Sequence, residues 1–192
     1  MKLPPNEQAL WPEDPKTYQL KHWRMTRSHL TSFRTAIDCG AHVGIFTLRM
    51  VPLFERIIAI EPTTPELVVD NTKECHNVEV LPVGVSDQPG TLYRYNPGST
   101  TACTELHPEP NDNPVSVITI DSLALEDVDL IKIDTQGLEK NTILGADDTI
   151  RKYTPTIHIE TRDRALIDWI CETYDYRIRG RVIKDWCLQK RL

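Results

Sequence analysis

The sequence predicts an α/β domain whose mostly parallel, twisted sheet carries helices on both faces and ends in a C-terminal antiparallel hairpin. Three observations lead there. Short apolar or β-branched runs alternate with longer stretches of helical spacing; the first run ends in an acid followed by a glycine-punctuated turn; and 192 residues suffice for one core. Apolar residues make up 40% of the chain and charged residues 26%, ordinary values for a globular protein.

Residues 1–33 are read as an N-terminal arm and helix. Pro4, Pro5, Pro12 and Pro15 keep the arm extended, and helical spacing runs from Tyr18 to Phe33. Residues 34–192 form the α/β domain. Its buried parallel strands are predicted at 35–38, 56–60, 78–82, 130–134 and 156–160, each short, apolar and bounded by turn residues. Helices at 43–51, 65–75, 138–152 and 164–174 follow four of these strands and make right-handed βαβ units. After the third strand the rhythm breaks, with a turn at 86–90, a short strand at 91–95 and another at 115–120. Between those two lies a proline-rich insertion, 96–114, predicted to be a loop covering a site. At the C-terminus, 174–179 and 182–188 flank Gly180-Arg181, a hairpin signal at the sheet edge.

The net charge of −6 argues against a protein that grips nucleic acid by neutralising phosphate, although Arg177, Arg179 and Arg181 cluster in the hairpin. Five scattered cysteines without a C-x-x-C pair indicate reduced thiols, not a disulfide framework or a zinc site. No apolar run is long enough to cross a bilayer, and the opening MKLPPNEQALWPEDP lacks the apolar stretch of a signal peptide. A cytoplasmic address and no membrane partner are therefore expected. The sequence carries no signal of oligomeric state.

The sharpest motif is Asp38-Cys39-Gly40-Ala41-His42-Val43-Gly44, where a strand ends in an acid and turns through two glycines into a helix. Glycines let the backbone reverse and let a ligand approach it closely. A dinucleotide site wants G-x-G-x-x-G with pyrophosphate on the helix N-terminus, but a carboxylate at Asp38 repels phosphate and suits a cation. The ammonium and sulfonium of S-adenosylmethionine are such cations. Glu61 closes the second strand 21 residues after Gly40, where folds of this kind place an acid on a ribose diol. Either acid alone also fits a cap or a strand terminus; in register they favour a nucleoside site. Asp87, after the third strand, is placed to accept from an adenine amino group, though Ser86-Asp87 is equally ordinary turn chemistry.

The run from Ile37 to Gly44, then Ile60-Glu61-Pro62 and Val83-Gly84-Val85-Ser86-Asp87, resembles the FkbM-like family of methyltransferases. Ile118-Thr119-Ile120-Asp121-Ser122-Leu123, the block Asp129-Leu130-Ile131-Lys132-Ile133-Asp134-Thr135-Gln136-Gly137-Leu138-Glu139, Leu144-Gly145-Ala146 and the run from Pro155 to Glu160 follow in that family's order, so the resemblance covers 34–161. It implies a single Rossmann-like class I methyltransferase domain that uses S-adenosyl-L-methionine to methylate hydroxyls of sugars, polyketides and other small molecules. The donor residues it implies are Asp38, Gly40, Gly44 and Glu61, with His42 beside them. Two positions depart from the family's common residues: His42 stands for Asn and Gln136 for Glu. The second bears on substrate or metal chemistry.

A hydroxyl acceptor needs its proton removed, and strand ends carry the candidates. Asp134 and Glu160 follow the fourth and fifth parallel strands, with His158 on the face of Glu160. A core histidine satisfied by its neighbours is the plainer reading of His158. Asp134 and Glu160, with Gln136 or Glu139, could also hold a divalent cation, but no metal is expected. There is no N/D-P-P-Y/F segment for amino methylation of DNA and no Pro-Cys nucleophile for cytosine. The resemblance, together with the acidic net charge, implies an O-methyltransferase acting on a small molecule or glycan. The alternatives are a nucleic-acid methyltransferase or a non-catalytic nucleoside-binding domain; an NAD oxidoreductase survives only through Glu61.

Overall fold

The computed structural model describes residues 1–5, 7–98 and 100–191, with every side chain among them except those of Leu10 and Lys16. In chain order its strands are β1 (Thr35–Cys39), β2 (Arg56–Ile60), β3 (Val78–Leu81), β4 (Gly84–Val85), β5 (Gly90–Tyr95), β6 (Glu105–His107), β7 (Pro114–Ile118), β8 (Val128–Ile133), β9 (Thr156–Glu160), β10 (Tyr176–Val182) and β11 (Asp185–Lys190). The helices are α1 (Leu20–Arg27), α2 (Ile45–Met50), α3 (Pro65–Thr72), α4 (Glu139–Leu144), α5 (Asp147–Tyr153) and α6 (Arg164–Tyr174).

The principal sheet runs β10-β11-β9-β8-β1-β2-β3. Every neighbouring pair from β9 to β3 is parallel, and β11 lies antiparallel between β9 and β10. Strand order reverses between β1 and β8, the switch point where such sheets bind ligands. Alternation along the strands explains the two-sided burial. Ile37, Ile58 and Ile131 face Ile143, Ile150, Ile167 and Ile170 of α4, α5 and α6, while their neighbours Ala36, Ile57 and Leu130 face Trp23, Phe46 and Met50 of α1 and α2. A smaller sheet, β4-β7-β5-β6, follows β3 in the chain, opening at Gly84. Among the described residues no helix is long and apolar enough to cross a membrane.

Several element ends shift by a few residues, and four differences from the sequence reading go further. The N-terminal helix covers only Leu20–Arg27. The predicted helix 138–152 is two helices broken at Gly145 and Ala146, where a Cβ on Gly145 would lie 2.1 Å from the Ser86 carbonyl oxygen. Gly145 also accepts the Asp121 N–H at 2.9 Å, and the Asp121 carboxylate caps α5 by accepting the N–H groups of Asp148 and Thr149. The insertion is not all loop, since β6 pairs with β5. The hairpin turns at Ile183-Lys184, while Gly180 sits inside β10 at a register shift, against Met25, whose Cγ would lie 2.9 Å from an added Cβ. The hairpin itself adds its antiparallel pair to the sheet edge as expected, β11 on β9 and β10 outermost.

Candidate active site

A cavity of about 360 Å³ opens beyond the carboxyl ends of β1, β2, β8 and β9, roofed by Trp11 and Tyr18 of the arm and by residues 100–104 of the insertion. At its first end β1 runs into Gly40 at φ +75°, where a Cβ would lie 1.9 Å from the Asp134 carbonyl oxygen; only glycine fits there. The turn then carries His42 at φ +53°, and its N–H donates to Glu61 Oε2 at 2.7 Å. The other carboxylate oxygen, Oε1, accepts from the N–H groups of Thr63 at 2.7 Å and Thr64 at 3.1 Å. A carboxylate has about four acceptor sites, so buried Glu61 keeps one for the cavity it lines.

The His42 ring reaches the roof. Its Nε2 lies 2.8 Å from Thr101 Oγ1, and it stacks on Trp11 with centroids 5.9 Å apart at 20°. Burial pushes the ring's pKa below that of an ordinary histidine, against the pull of Glu61 and Glu7. Glu7 is itself buried and accepts the Thr101 N–H at 2.6 Å.

At the second end the charged groups are side-chain ions. Asp134 accepts from Gln136 Nε2 at 2.6 Å and stands 3.9 Å from Lys132 Nζ. Glu160 pairs with Lys184, which the hairpin turn delivers to the cavity rim. Burial, reinforced by Asp134, pushes the Glu160 carboxyl above the usual range despite Lys184. The Tyr18 phenol is raised as well, by burial and then by Asp134 and Glu160. Lys132, 4% exposed, donates to the Gly40 carbonyl at 2.6 Å and pairs with Asp38 at 3.0 Å. Burial disfavours its ammonium, but Asp38, then Asp134, outweigh that and raise its pKa above an ordinary lysine's.

Of the residues singled out in the sequence, the structure brings Gly40, His42, Glu61, Asp134 and Glu160 to one cavity. Four others lie elsewhere. Asp38 is wholly buried and does not line the cavity, its carboxylate paired with Lys132 and accepting from Thr47 Oγ1 at 2.7 Å. Gly44 packs at the start of α2 against Val68. Asp87 is exposed outside the cavity, accepting from Asn141 at 2.8 Å, with its carboxyl held below the usual range by Asn141 and Ser86. His158 is a satisfied core histidine: it is 1% exposed, with Nδ1 2.6 Å from Thr26 Oγ1 and Nε2 2.9 Å from Asp185 Oδ1, which leaves no nitrogen for an acceptor's proton.

Sequence reasoning missed Lys132, Lys184, Trp11, Tyr18, Thr101 and Glu7 as parts of the site. A lysine inside a buried strand was the available signal for Lys132; the others carry none, because their place depends on distant segments. Lining carboxylates (Glu61, Asp134, Glu160) outnumber lining ammonium groups (Lys132, Lys184), and Asp38 behind them deepens the negative bias. Among the described residues no group of three or more His, Cys, Asp or Glu side chains could hold a metal ion.

No curated protein sequence matches the chain. Among solved structures it is similar to Methyltransferase FkbM from Methylobacillus flagellatus KT, with a TM-score of 0.61 and 24% identity over 84% of this chain and 45% of that one. The chain thus spans less than half of that relative's length. A SAM-dependent methyltransferase from Aquifex aeolicus matches with a TM-score of 0.52 and 16% identity over 97% of this chain and 96% of that one. A Streptococcus mutans structure in complex with SAH matches with a TM-score of 0.53 and 12% identity over 88% and 94%. These likenesses are of fold, the class I methyltransferase fold with its β11 strand inserted antiparallel. Residues 38–178, most of the chain, match the Methyltransferase FkbM domain, and the chain belongs to that family.

Proposed function

We propose that this chain is an S-adenosylmethionine-dependent methyltransferase that methylates a hydroxyl of a small molecule or glycan. The observation that carries the reading is one cavity with two differently equipped ends, a carboxylate with one acceptor site left at Glu61 and two strand-end acids at Asp134 and Glu160. The donor fits the chemistry present. Glu61 suits a ribose diol, the apolar lining of Ile60, Pro62, Val83 and Val85 suits a purine, and the excess of carboxylates suits a cation. Similar folds described as SAM-dependent or solved with SAH support the same donor. When bound, S-adenosylmethionine supplies a methyl group on a sulfonium, ready for displacement by an oriented nucleophile.

The chain's own residues then have distinct tasks. Glu61 orients the nucleoside, and Lys132 ties the Gly40 carbonyl to Asp38 and stands beside Asp134. Asp134 and Glu160 act on the acceptor: Asp134 takes the single hydroxyl proton, and Glu160, whose carboxyl burial raises above the usual range, stands beside it. Gln136 donates to Asp134, fixing the carboxylate where the family more often has a second acid. Asp87 lies outside the cavity and has no part in this reading.

Calorimetry with S-adenosylhomocysteine tests the donor half, and mass spectrometry of methylated products from a library of hydroxyl compounds tests the acceptor half. Asp134→Asn is expected to keep homocysteine-nucleoside affinity and lower turnover by about 10²–10⁴-fold, the usual worth of a general base. No binding at millimolar ligand sinks the donor assignment; full turnover in Asp134→Asn sinks the acceptor assignment. A nucleic-acid substrate draws no support from the arginines of the hairpin. Arg177, Arg179 and Arg181 lie exposed on edge strand β10, with Arg181 4.3 Å over the Trp186 ring, where charge blunts edge pairing.

A further inference from the structure

We propose that His42 is a positioning residue that fastens the N-terminal arm and the insertion together onto the loop holding Glu61, so that roof and donor loop behave as one unit. The inference rests on the donor reading above and adds a part that the reading does not need.

Two groups from segments far apart in the chain meet this ring, each backed by a partner from the arm. Trp11 stacks on one face of it, and Tyr18 packs against Trp11 with centroids 4.8 Å apart. Thr101 stands 2.8 Å from Nε2, and Glu7, 7% exposed, takes the Thr101 N–H at 2.6 Å and its hydroxyl at 3.4 Å. Thr101 Oγ1 and His42 Nε2 share this short bond, with the direction set by the ring's tautomer. On its other side the same residue is tied into the donor loop, its N–H on Glu61 and its carbonyl accepting Thr64 Oγ1 at 2.9 Å.

The backbone adds an independent argument. His42 sits at φ +53°, where glycine, and among side-chain residues asparagine, are the most comfortable occupants. An asparagine could keep the backbone bonds to Glu61 and Thr64. It has no ring to stack on Trp11, and its shorter side chain does not extend to the place of Nε2 beside Thr101. The histidine therefore gives up backbone ease for two contacts that only join the roof to the floor. Glu7 points the same way, because a buried carboxylate spent on one backbone N–H and one hydroxyl is costly unless it anchors something.

Hydrogen exchange of the full chain, read over residues 7–18 and 100–104 with and without S-adenosylhomocysteine, tests this alongside calorimetry. His42→Asn is expected to speed exchange in both segments together and to weaken homocysteine-nucleoside binding about tenfold, equivalent to about 1.4 kcal/mol. Thr101→Val and Glu7→Gln should loosen the same two segments, and His42→Asn with Thr101→Val should be no worse than the worse single change, because the contact is shared. Unchanged exchange in His42→Asn, or loosening of one segment without the other, overturns the proposal. If His42→Asn does not fold, Thr101→Val, which leaves the turn intact, decides. If the native chain binds no S-adenosylhomocysteine, the donor reading fails, and coupled loosening of the two segments in the ligand-free variants still decides this one.

Discussion

At the Glu61 end of the cavity the polar groups are backbone amides gathered by one carboxylate, whereas at the Asp134 end they are side-chain ions held by one another. The two constructions fail differently. Amides gathered by one acceptor lose a single hydrogen bond when a neighbour changes, and the turn itself stays where Gly40 and the strand ends put it. A desolvated ion cluster has no such reserve, since removing one member leaves another charged and unpaired in a medium that magnifies the error.

The largest effect is therefore expected at Lys132. Lys132→Met leaves Asp38, wholly buried, with Thr47 as its side-chain partner among the described residues, and should cost about 3–5 kcal/mol in chemical denaturation. Removing both charges in Asp38→Asn with Lys132→Met should recover most of that loss. A single-variant cost below about 1 kcal/mol, within the range of a surface pair, would mean that the cluster is better hydrated than its burial implies.

Glu61→Gln should cost less, about 1–3 kcal/mol, because the amide keeps one acceptor oxygen and turns its NH₂ toward an N–H that loses its partner. The same change should weaken S-adenosylhomocysteine binding, whereas Lys132→Met with Asp38→Asn should affect it less than it affects turnover. Equal stability losses at Glu61 and Lys132 would erase the contrast between the two ends.

The contrast also explains what could be read from the chain. Backbone-built features were legible: the buried runs at 56–60 and 156–160 became β2 and β9 without change, and Glu61 fell at a strand end that local pattern alone locates. Side-chain partnerships were not. His158 shares the alternation of Glu160, yet its ring is claimed by Thr26, 132 residues earlier, and by Asp185, 27 residues later, and neither partner is visible from spacing. The break at Gly145 depends on the Ser86 carbonyl of another segment, and the position of Gly180 depends on Met25. Helical periodicity could not reveal the first, nor turn propensity the second. The roof was the least legible part. Proline in the arm suggested only an extended chain, and nothing local linked Glu7 and Trp11 to His42.

The smallest expected effect separates the two ends by pH. The His42 ring faces Glu7 of the arm, Thr101 of the insertion, Glu61 after β2, and Lys132 and Asp134 on β8 and just beyond it; burial, the largest influence, holds its pKa below the ordinary histidine value of about 6.5. The unfolded chain then binds this proton more readily than the folded one, so stability rises with pH through that window. The contribution is fully present above the unfolded value and is lost as pH falls from there through the lower folded value. Lys132 behaves oppositely: its pKa is raised, so what it contributes is full at neutral and acid pH and is lost only on the alkaline side. Glu160, raised by burial, favours the folded chain while protonated, and that advantage disappears as pH rises through its folded value. Melting temperatures between about pH 8 and about pH 5 should therefore fall more steeply for the native chain than for His42→Asn, while Lys184→Met, which alters the Glu160 pair, should leave the histidine component of the slope in place. Parallel profiles for the native chain and His42→Asn would show that the ring is solvated, and the donor end would then be built of backbone alone.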